Sequence, residues 1–212
     1  MARTSAADRR DQLVEAAIRV MSQEGLERAT TRRIAEEAGT TQGVFHYAFR
    51  DKNELLTGVI GAVTLEVEKV LRRAVDPSRG LAAAIRDALQ GFWAYVTRDD
   101  GLQLMQYELT IFSRRTPGFE WLAEWQYSRY TAVALEVFTE AAAFEPHTPK
   151  IDLRELSEVI VAAIDGLVIQ YEVAHDESRS LRNLDHVIRA CTMLAGLEPA
   201  PRSDDGDRSV RA

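Results

Sequence analysis

The sequence predicts an all-α protein of about nine helices. Apolar residues recur at intervals of three and four along nearly the whole chain, which is the spacing of a helix with one buried face. No run of alternating apolar and polar residues is bounded by turn residues, so no strand is predicted. The chain has 212 residues, of which 46% are hydrophobic, and it can therefore bury a substantial core.

Four helices are predicted in the first part of the chain, at about 8–24, 31–39, 42–49 and 52–75. Gly25 ends the first helix, because a residue without a side chain readily takes the left-handed conformation that closes a helix. The hydroxyl group of Thr30 can cap the free amide groups of the second. Asp76 and Pro77 end the fourth, since proline cannot continue a helix.

Five further helices are predicted at about 80–98, 101–115, 117–144, 152–175 and 181–196. Pro117 follows Thr116 and suits the first position of a helix behind its cap. Asp152 and Glu155 have the spacing of a capping box. The last stretch, 198–212, is rich in Pro, Asp and Arg and has hardly any apolar side chains, so a disordered tail is predicted there.

The charge is unevenly distributed along the chain. The formal net charge is −7, but residues 1–56 hold nine Lys/Arg and nine Asp/Glu, whereas the rest holds seventeen and twenty-four. A uniformly basic surface is therefore excluded, and any contact with nucleic acid must be local. The single cysteine, Cys191, excludes an intrachain disulfide, and no apolar run is long enough to cross a membrane. The amino-terminal arginines come without a signal-peptide pattern, so a cytoplasmic location is expected.

The second and third predicted helices, joined by a tight turn at Gly39, have the spacing of a helix-turn-helix. In that motif the second helix of the pair, here called the recognition helix, enters the major groove of DNA. It lies in the segment TTQGVFHYAF, residues 40–49. At about 100° per residue, Phe45 and Phe49 share one face, and Tyr47 lies nearly opposite. The two phenylalanines are therefore predicted to anchor the helix on the core.

The outward residues of the recognition helix have side chains that suit a DNA groove. Gln42 can pair with adenine, Val44 can contact a thymine methyl group, and His46 and Tyr47 can donate to bases or phosphates. Gly43 would let the backbone approach DNA closely. On this pattern alone, the alternative of a tight three-helix subdomain with a solvated aromatic face is about equally open.

Cations and hydroxyl groups flank the recognition helix. Thr31, Arg32 and Arg33 lie at the amino end of the preceding helix, where free backbone amides and guanidinium groups favour a phosphate. Lys52, at the start of the fourth helix, adds a cation on the other side. These residues predict phosphate contacts on both sides of the recognition helix.

A longer pattern runs through the amino-terminal quarter of the chain. The stretch EGLERATTRRIAEEAG closes the first helix and covers the second, and a seven-residue recognition helix follows it. A closing aromatic residue and a K-x-E-L-L helix start then complete the order. From about residue 9 to residue 56, this ordered pattern resembles the TetR family of transcriptional regulators, and the resemblance implies DNA binding.

The resemblance also implies roles for individual residues. The predicted DNA-binding residues are Thr31, Arg32, Thr41, Gln42, Gly43, Val44, His46, Tyr47 and Lys52. Many members of the family have Tyr where His46 stands and His where Ala48 stands. The operator sequence is therefore not transferable from the family to this chain.

The family's usual scheme implies how the whole chain is organised. Residues 1–56 would form the helix-turn-helix DNA-binding domain, and residues 57–197 an effector-binding and dimerisation domain. A homodimer would form through residues of about 152–196 and bind a palindromic DNA operator as a repressor. A small-molecule effector, apolar or aromatic, would enter the second domain and release the DNA.

Two segments near the carboxyl end have the composition of a helix-pairing interface. In ELSEVIVAAIDGLVIQYEVAHD, the small residues Ala162, Ala163 and Gly166 lie among large apolar ones and permit close approach of helices. The segment LDHVIRACTMLAGL supplies another apolar face. The two helices are predicted to pair with their copies in a four-helix dimer interface. The alternative is that both are ordinary core helices of a monomer.

Aromatic and thioether side chains concentrate in the middle of the chain. With two acidic residues among them, they have the make-up of an apolar pocket with a few orienting polar groups. The predicted ligand-binding residues are Trp93, Met105, Glu108, Phe112, Trp125 and Asp165. Two carboxylates among tryptophans suit a cationic or hydrogen-bonding aromatic ligand. The alternatives are a plain aromatic core, a solvated Glu108, and an Asp165 that bonds backbone or the other subunit.

No pattern in the sequence predicts catalysis, a metal site or a cofactor. The four histidines lack metal-ligand spacing, Cys191 has no activating partner nearby in sequence, and no Gly-rich phosphate loop or nucleophile elbow occurs. The rival to a regulator is a helical small-molecule carrier or interaction protein that does not bind DNA. Replacing Tyr47 or Lys52 by alanine separates the two, because only a regulator would lose operator binding.

Overall fold

The computed structural model describes residues 6–98 and 101–198. Its α-helices are α1 (Ala6–Glu24), α2 (Thr31–Glu37), α3 (Gln42–Ala48), α4 (Lys52–Ala74), α5 (Leu81–Val96), α6 (Leu102–Arg115), α7 (Trp121–Ala142), α8 (Leu153–Ala174) and α9 (Glu177–Leu194). A 3₁₀ turn at Pro77–Arg79 joins α4 to α5. These residues include no strand, which confirms the predicted all-α fold. The predicted disordered tail lies outside the described residues from position 199 onward.

Side-chain caps fix where several helices begin. The Thr30 hydroxyl oxygen accepts a hydrogen bond from the Arg33 amide at 3.2 Å, as predicted for the start of α2. The Asp152 carboxylate accepts from the amides of Arg154 and Glu155 at 2.8 and 3.2 Å and caps α8. Each cap satisfies amide groups that have no partner inside the helix, and so sets the first residue of the helix.

The predicted start of the seventh helix at Pro117 is wrong. Gly118 has a φ of 78°, and the Phe119 amide donates to the Thr116 carbonyl oxygen at 3.0 Å. The chain therefore forms a turn there, and α7 begins at Trp121.

The predicted start of the last helix at about residue 181 is also wrong. Asp176 accepts a hydrogen bond from the Arg179 amide at 2.9 Å, so it caps α9 and places its first residue at Glu177. His175 has a φ of 47° and closes α8 in the left-handed conformation. The loop between α8 and α9 is consequently shorter than the sequence suggested.

Two apolar clusters fill the interior. The first joins α1, α2 and α3 to the amino-terminal half of α4, and it includes Met105 and Leu109 of α6. The second lies among α5, α7, α8 and α9. Within α4, buried residues up to Val63 belong to the first cluster, whereas Leu71 packs against the second. Helix α4 therefore spans both clusters, and α6 reaches into the first from the carboxyl-terminal part.

Candidate nucleic-acid interface and internal cavity

Helix α3 is held by two aromatic side chains on one face. Phe45 and Phe49 are buried, with ring centroids 5.7 Å apart, as the helical spacing predicted. On the opposite face Tyr47 is 79% exposed, and Gln42 and His46 are exposed as well. The turn before α3 is closed by Gly39, whose φ is 63°. The seven residues of α3 thus present a polar edge to solvent on an apolar base.

Arg10 of α1 binds the carboxyl end of α3. Its guanidinium group donates to the Ala48 carbonyl oxygen, lies 4.2 Å from the centroid of the Phe49 ring and pairs with Glu54 at 2.9 Å. Glu54 also accepts from the amide and guanidinium of Arg50 at 3.0 and 3.1 Å. These hydrogen bonds lower the pKa of Glu54 to about 2, and the bond from the Arg50 amide has the largest effect. No local signal predicts the Arg10–Glu54 pair, since the two residues are 44 positions apart.

Replacing Glu54 by glutamine is expected to change the pH dependence of stability. The folded state lowers the pKa of Glu54 from 4.5 to about 2, so its carboxylate stabilises the fold above about pH 4.5, and that contribution is lost as the pH falls toward 2. The thermal midpoints of wild type and Glu54→Gln, measured by circular dichroism, should therefore differ most at pH 6 and converge toward pH 2. A difference that stays constant over this range would contradict the assignment.

The residues that flank α3 differ in how firmly they are held. The Thr31 hydroxyl oxygen accepts from the Gln42 amide group at 3.3 Å, which links the start of α2 to the start of α3. Arg32 is exposed and pairs with Glu36 on its own helix at 2.9 Å. Such an exposed pair is weak, so the guanidinium group stays available to a phosphate. Thr41, which precedes α3, is exposed and makes no side-chain capping bond.

Arg33 does not join this group. It bonds Glu24 at 2.7 Å and Glu37 at 3.1 Å, so it connects α2 to the end of α1. The pKa of its guanidinium is raised, chiefly by the hydrogen bond with Glu24. The prediction that Arg33 supports a phosphate contact therefore gives way to a role in holding the helices together.

Lys52 is linked to α6 through one residue of the turn after α1. Its ammonium group donates to the carbonyl oxygen of Leu26 at 3.2 Å, and burial lowers its pKa. The Leu26 amide in turn donates to the Glu108 carboxylate at 3.0 Å. A chain of two hydrogen bonds therefore connects the amino end of α4, beside α3, to the middle of α6. We call this chain the Lys52–Leu26–Glu108 relay.

A cavity of about 50 Å³ lies among five helices of the carboxyl-terminal part. Its walls are mostly apolar. The lining residues come from α4 to α8 and are Val67, Leu71, Ala88, Leu89, Phe92, Gln103, Tyr130, Ala134, Phe138, Ile160, Val161, Ile164 and Asp165. Residues of α4 and α6 also belong to the first apolar cluster, with residues of α1, α2 and α3. These two helices therefore line the cavity and also pack in the cluster that supports the helix-turn-helix.

Buried glutamines form a polar network beside this cavity. The Tyr130 hydroxyl group donates to the Gln106 side-chain oxygen at 2.8 Å and accepts from the Gln126 amide group at 2.8 Å. The Gln106 amide group donates to the Gln103 side-chain oxygen at 2.9 Å. Burial raises the pKa of the Tyr130 hydroxyl, which therefore stays neutral. No motif in the sequence marks the three glutamines, although uncharged polar residues on otherwise apolar helix faces are a usable signal.

Among the predicted ligand-binding residues, Asp165 lines the cavity and the other five do not. Trp93 is buried in the second apolar cluster, and Met105 and Phe112 pack in or against the first. Glu108 accepts the Leu26 amide in the relay described above. Trp125 lies on α7 with 37% of its surface exposed. Four of the five thus serve packing or helix connection in this structure.

Within positions 6–98 and 101–198, no group of three or more His, Cys, Asp and Glu side chains is arranged to hold a metal ion. Cys191 is buried, and burial raises the pKa of its thiol. None of the helices in these ranges combines the length and apolar character needed to cross a membrane.

The fold and the exposed edge of α3 define an all-α protein with an amino-terminal helix-turn-helix, and comparison with known proteins specifies its family. Residues 13–59 match the model of the bacterial regulatory proteins of the tetR family. The HTH-type nicotine-responsive transcriptional repressor HdnoR of Paenarthrobacter nicotinovorans is 30% identical over 195 residues, which cover 92% of this chain and 100% of HdnoR. The chain belongs to the TetR family.

Solved structures share the fold. The multidrug binding protein EbrR, solved with imidazole, aligns over 93% of this chain and 98% of its own with a TM-score of 0.66 and 21% identity. A TetR transcription regulator from Haloarcula marismortui aligns over 90% and 97% with a TM-score of 0.71 and 14% identity. At these identities the two structures support the architecture alone.

Proposed function

We propose that this chain is a transcriptional repressor that binds a palindromic DNA operator as a homodimer and leaves it when a small-molecule effector binds. The observation that carries DNA binding is the orientation of α3, with its phenylalanines buried and its polar edge exposed. The residues proposed to contact DNA are Thr31, Arg32, Thr41, Gln42, Gly43, Val44, His46, Tyr47 and Lys52. Residues 1–56 are the proposed DNA-binding domain, and residues 57–197 the effector-binding and dimerisation domain.

Two lysines of α4 offer a matched test of DNA binding. Lys52 lies beside α3, and Lys69 lies on the same helix, about 25 Å further along at the rise of an α-helix. Either substitution by alanine removes one positive charge. Lys52→Ala is expected to weaken binding and to lower the slope of log affinity against log salt by about 1, as loss of one phosphate contact does. Lys69→Ala should change neither.

The measurement is fluorescence anisotropy with labelled promoter DNA from the gene's own locus, at several salt concentrations. Circular dichroism of both variants checks that they remain folded. A specific complex that survives Lys52→Ala unchanged would remove Lys52 from the interface. The absence of a specific complex between the wild-type chain and any genomic fragment would overturn the proposal of a DNA-binding regulator.

Exposed apolar side chains on α8 and α9 support the homodimer. Val173 is 81% exposed. Apart from Ile169, which borders a groove between α6, α7 and α8, the exposed large apolar residues of the two helices are Val159, Val173, Leu181, Met193 and Leu194. Two helix-turn-helix units must also be held about 34–36 Å apart to read two half-sites. Sedimentation that finds only monomer at micromolar concentration would contradict this part of the proposal.

The proposal that an effector releases the DNA rests on α4 and α6, which line the cavity and also pack in the cluster that supports the helix-turn-helix. A ligand in the cavity contacts α4 and α6, and a small tilt of these helices moves α3 off the half-site spacing. A hundredfold loss of affinity needs only about 2.7 kcal/mol of coupling. The name of HdnoR, a nicotine-responsive transcriptional repressor, supports a ligand-responsive repressor. A screen for compounds that dissolve the operator complex tests it.

A further inference from the structure

Asp165 lies where two concave spaces meet. On one side it lines the internal cavity of about 50 Å³. On the other it lines an open surface groove of about 310 Å³ between α6, α7 and α8, together with Tyr107, Tyr127 and Ile169. Asp165 is the residue that both sets of lining residues contain. Asp165 therefore borders both spaces.

The Asp165 carboxylate has no cationic partner in the described part of the chain. No lysine, arginine or histidine there forms an ion pair with it. The Tyr127 hydroxyl group donates a hydrogen bond to it, and the Tyr107 hydroxyl donates to its backbone carbonyl oxygen at 3.3 Å. Burial raises the pKa of the carboxyl, and the bond from Tyr127 opposes the rise.

Aromatic side chains line both of the spaces that Asp165 borders. Tyr107 and Tyr127 stand at the groove, and Phe92 and Tyr130 line the internal cavity. Burial, with the Asp165 charge added to it, raises the pKa of the Tyr107 and Tyr127 hydroxyl groups, so these rings are neutral. Glu172, two turns further along α8, adds to the negative potential at Tyr107. A half-buried acid among neutral aromatic faces attracts a cation by charge and by cation–π contact.

We propose that the groove and cavity form one binding site for a small organic cation, an amine or quaternary ammonium compound whose charged nitrogen lies against Asp165. An apolar or aromatic part of the ligand fills the groove, and a small group enters the internal cavity. This inference deepens the proposed function, on which it rests, by naming the chemical class of the effector. An anion is disfavoured by Asp165 and Glu172, and an uncharged ligand would cover the carboxylate without neutralising it.

Matched probes without DNA test the site. Benzyltrimethylammonium and phenethylamine supply the cations, phenethyl alcohol is the uncharged counterpart of phenethylamine, and benzoate is an anion. Binding to the full chain is measured by calorimetry and by tryptophan fluorescence. The cations are expected to bind the wild type about tenfold or more tightly than the alcohol, with no binding of benzoate.

Two variants separate charge from packing. Asp165→Asn keeps the shape and an acceptor oxygen for Tyr127, and should remove the preference for cations over the alcohol. Tyr127→Phe keeps the carboxylate and should retain the preference. If Asp165→Asn does not fold, as judged by circular dichroism, the matched probes on the wild type and Tyr127→Phe still decide the question. Equal binding of amine and alcohol to the wild type, or no saturable binding of either cation at millimolar concentration, would overturn the inference.

The operator assay distinguishes this inference from the proposed function. If amine and alcohol bind the wild type equally while some compound still dissolves the operator complex, the repressor proposal stands and the cation site falls. If the chain binds no operator but binds the cations in a way that depends on Asp165, the cation site stands and the repressor proposal falls. The two proposals therefore fail on different measurements.

Discussion

Replacing Phe45 by alanine is expected to destabilise the helix-turn-helix severely and to abolish operator binding with it. The Phe45 side chain is fully buried in the first apolar cluster and touches Phe49, the other anchor of α3. Removing a buried phenylalanine costs about 3–5 kcal/mol, because the apolar contacts are lost and a cavity remains. For a domain of ordinary stability this is a large fraction of the total. Urea unfolding followed by circular dichroism measures the change.

Tyr47→Ala is the matched control for this variant. Tyr47 lies two residues away on the same short helix, but its ring is 79% exposed. Its removal should leave the free energy of unfolding within about 0.5 kcal/mol of wild type. Operator affinity should nevertheless fall if Tyr47 faces DNA as proposed. Equal losses of stability in the two variants would contradict the division of α3 into an anchoring face and an exposed face.

The face of α3 was predictable because it depends on local geometry. Seven consecutive residues at a fixed angular step place Phe45 and Phe49 on one side whatever the rest of the chain does. The same holds for Thr30 and Asp152, whose caps involve amides two or three residues away. Signals that act within one helical turn are therefore readable from the sequence.

The contacts that hold α3 in place involve residues far apart in sequence. Arg10 meets Glu54 across 44 positions, and Leu26 meets Glu108 across 82. Helical periodicity says that each residue lies on a helix but gives no distance between helices. The predicted start of α7 is wrong for a different reason. Pro117 suits a turn as well as a first helical position, and the positive φ of Gly118 favours the turn.

The residues that line the cavity could not be predicted either, because helical periodicity does not tell which helices pack together. Composition places aromatic residues in the middle of the chain, but only packing decides which rings fill a core and which line a space. Trp93 and Met105 fill cores, and Tyr130 lines the cavity although it was not among the predicted ligand residues. Asp165 was the exception, because an acid on an apolar helix face must find either a partner or a ligand.

Removing Glu108 is expected to weaken the coupling between the cavity and the DNA-binding helices. Glu108 lies on α6, the helix that also supplies Gln103 to the cavity wall. Its carboxylate accepts a hydrogen bond from the Leu26 amide, and the Leu26 carbonyl oxygen accepts one from Lys52. In Glu108→Ala a movement of α6 no longer pulls on the turn that positions Lys52. A hydrogen bond to a charged group contributes about 1.5–3 kcal/mol, so the factor by which effector weakens operator binding should fall by about tenfold or more.

Glu108→Gln is the control, because its amide oxygen can still accept from the Leu26 amide. Three measurements separate coupling from simple damage: operator affinity without effector, effector affinity without DNA, and operator affinity at saturating effector, each for the compound that dissolves the wild-type complex. Coupling through the Lys52–Leu26–Glu108 relay requires that Glu108→Ala keep more operator affinity at saturating effector than the wild type does, with the other two affinities little changed. Glu108→Gln should respond to effector as the wild type does. If Glu108→Ala responds to effector as fully as wild type, the signal reaches α3 through α4 alone, and the relay only braces the turn after α1.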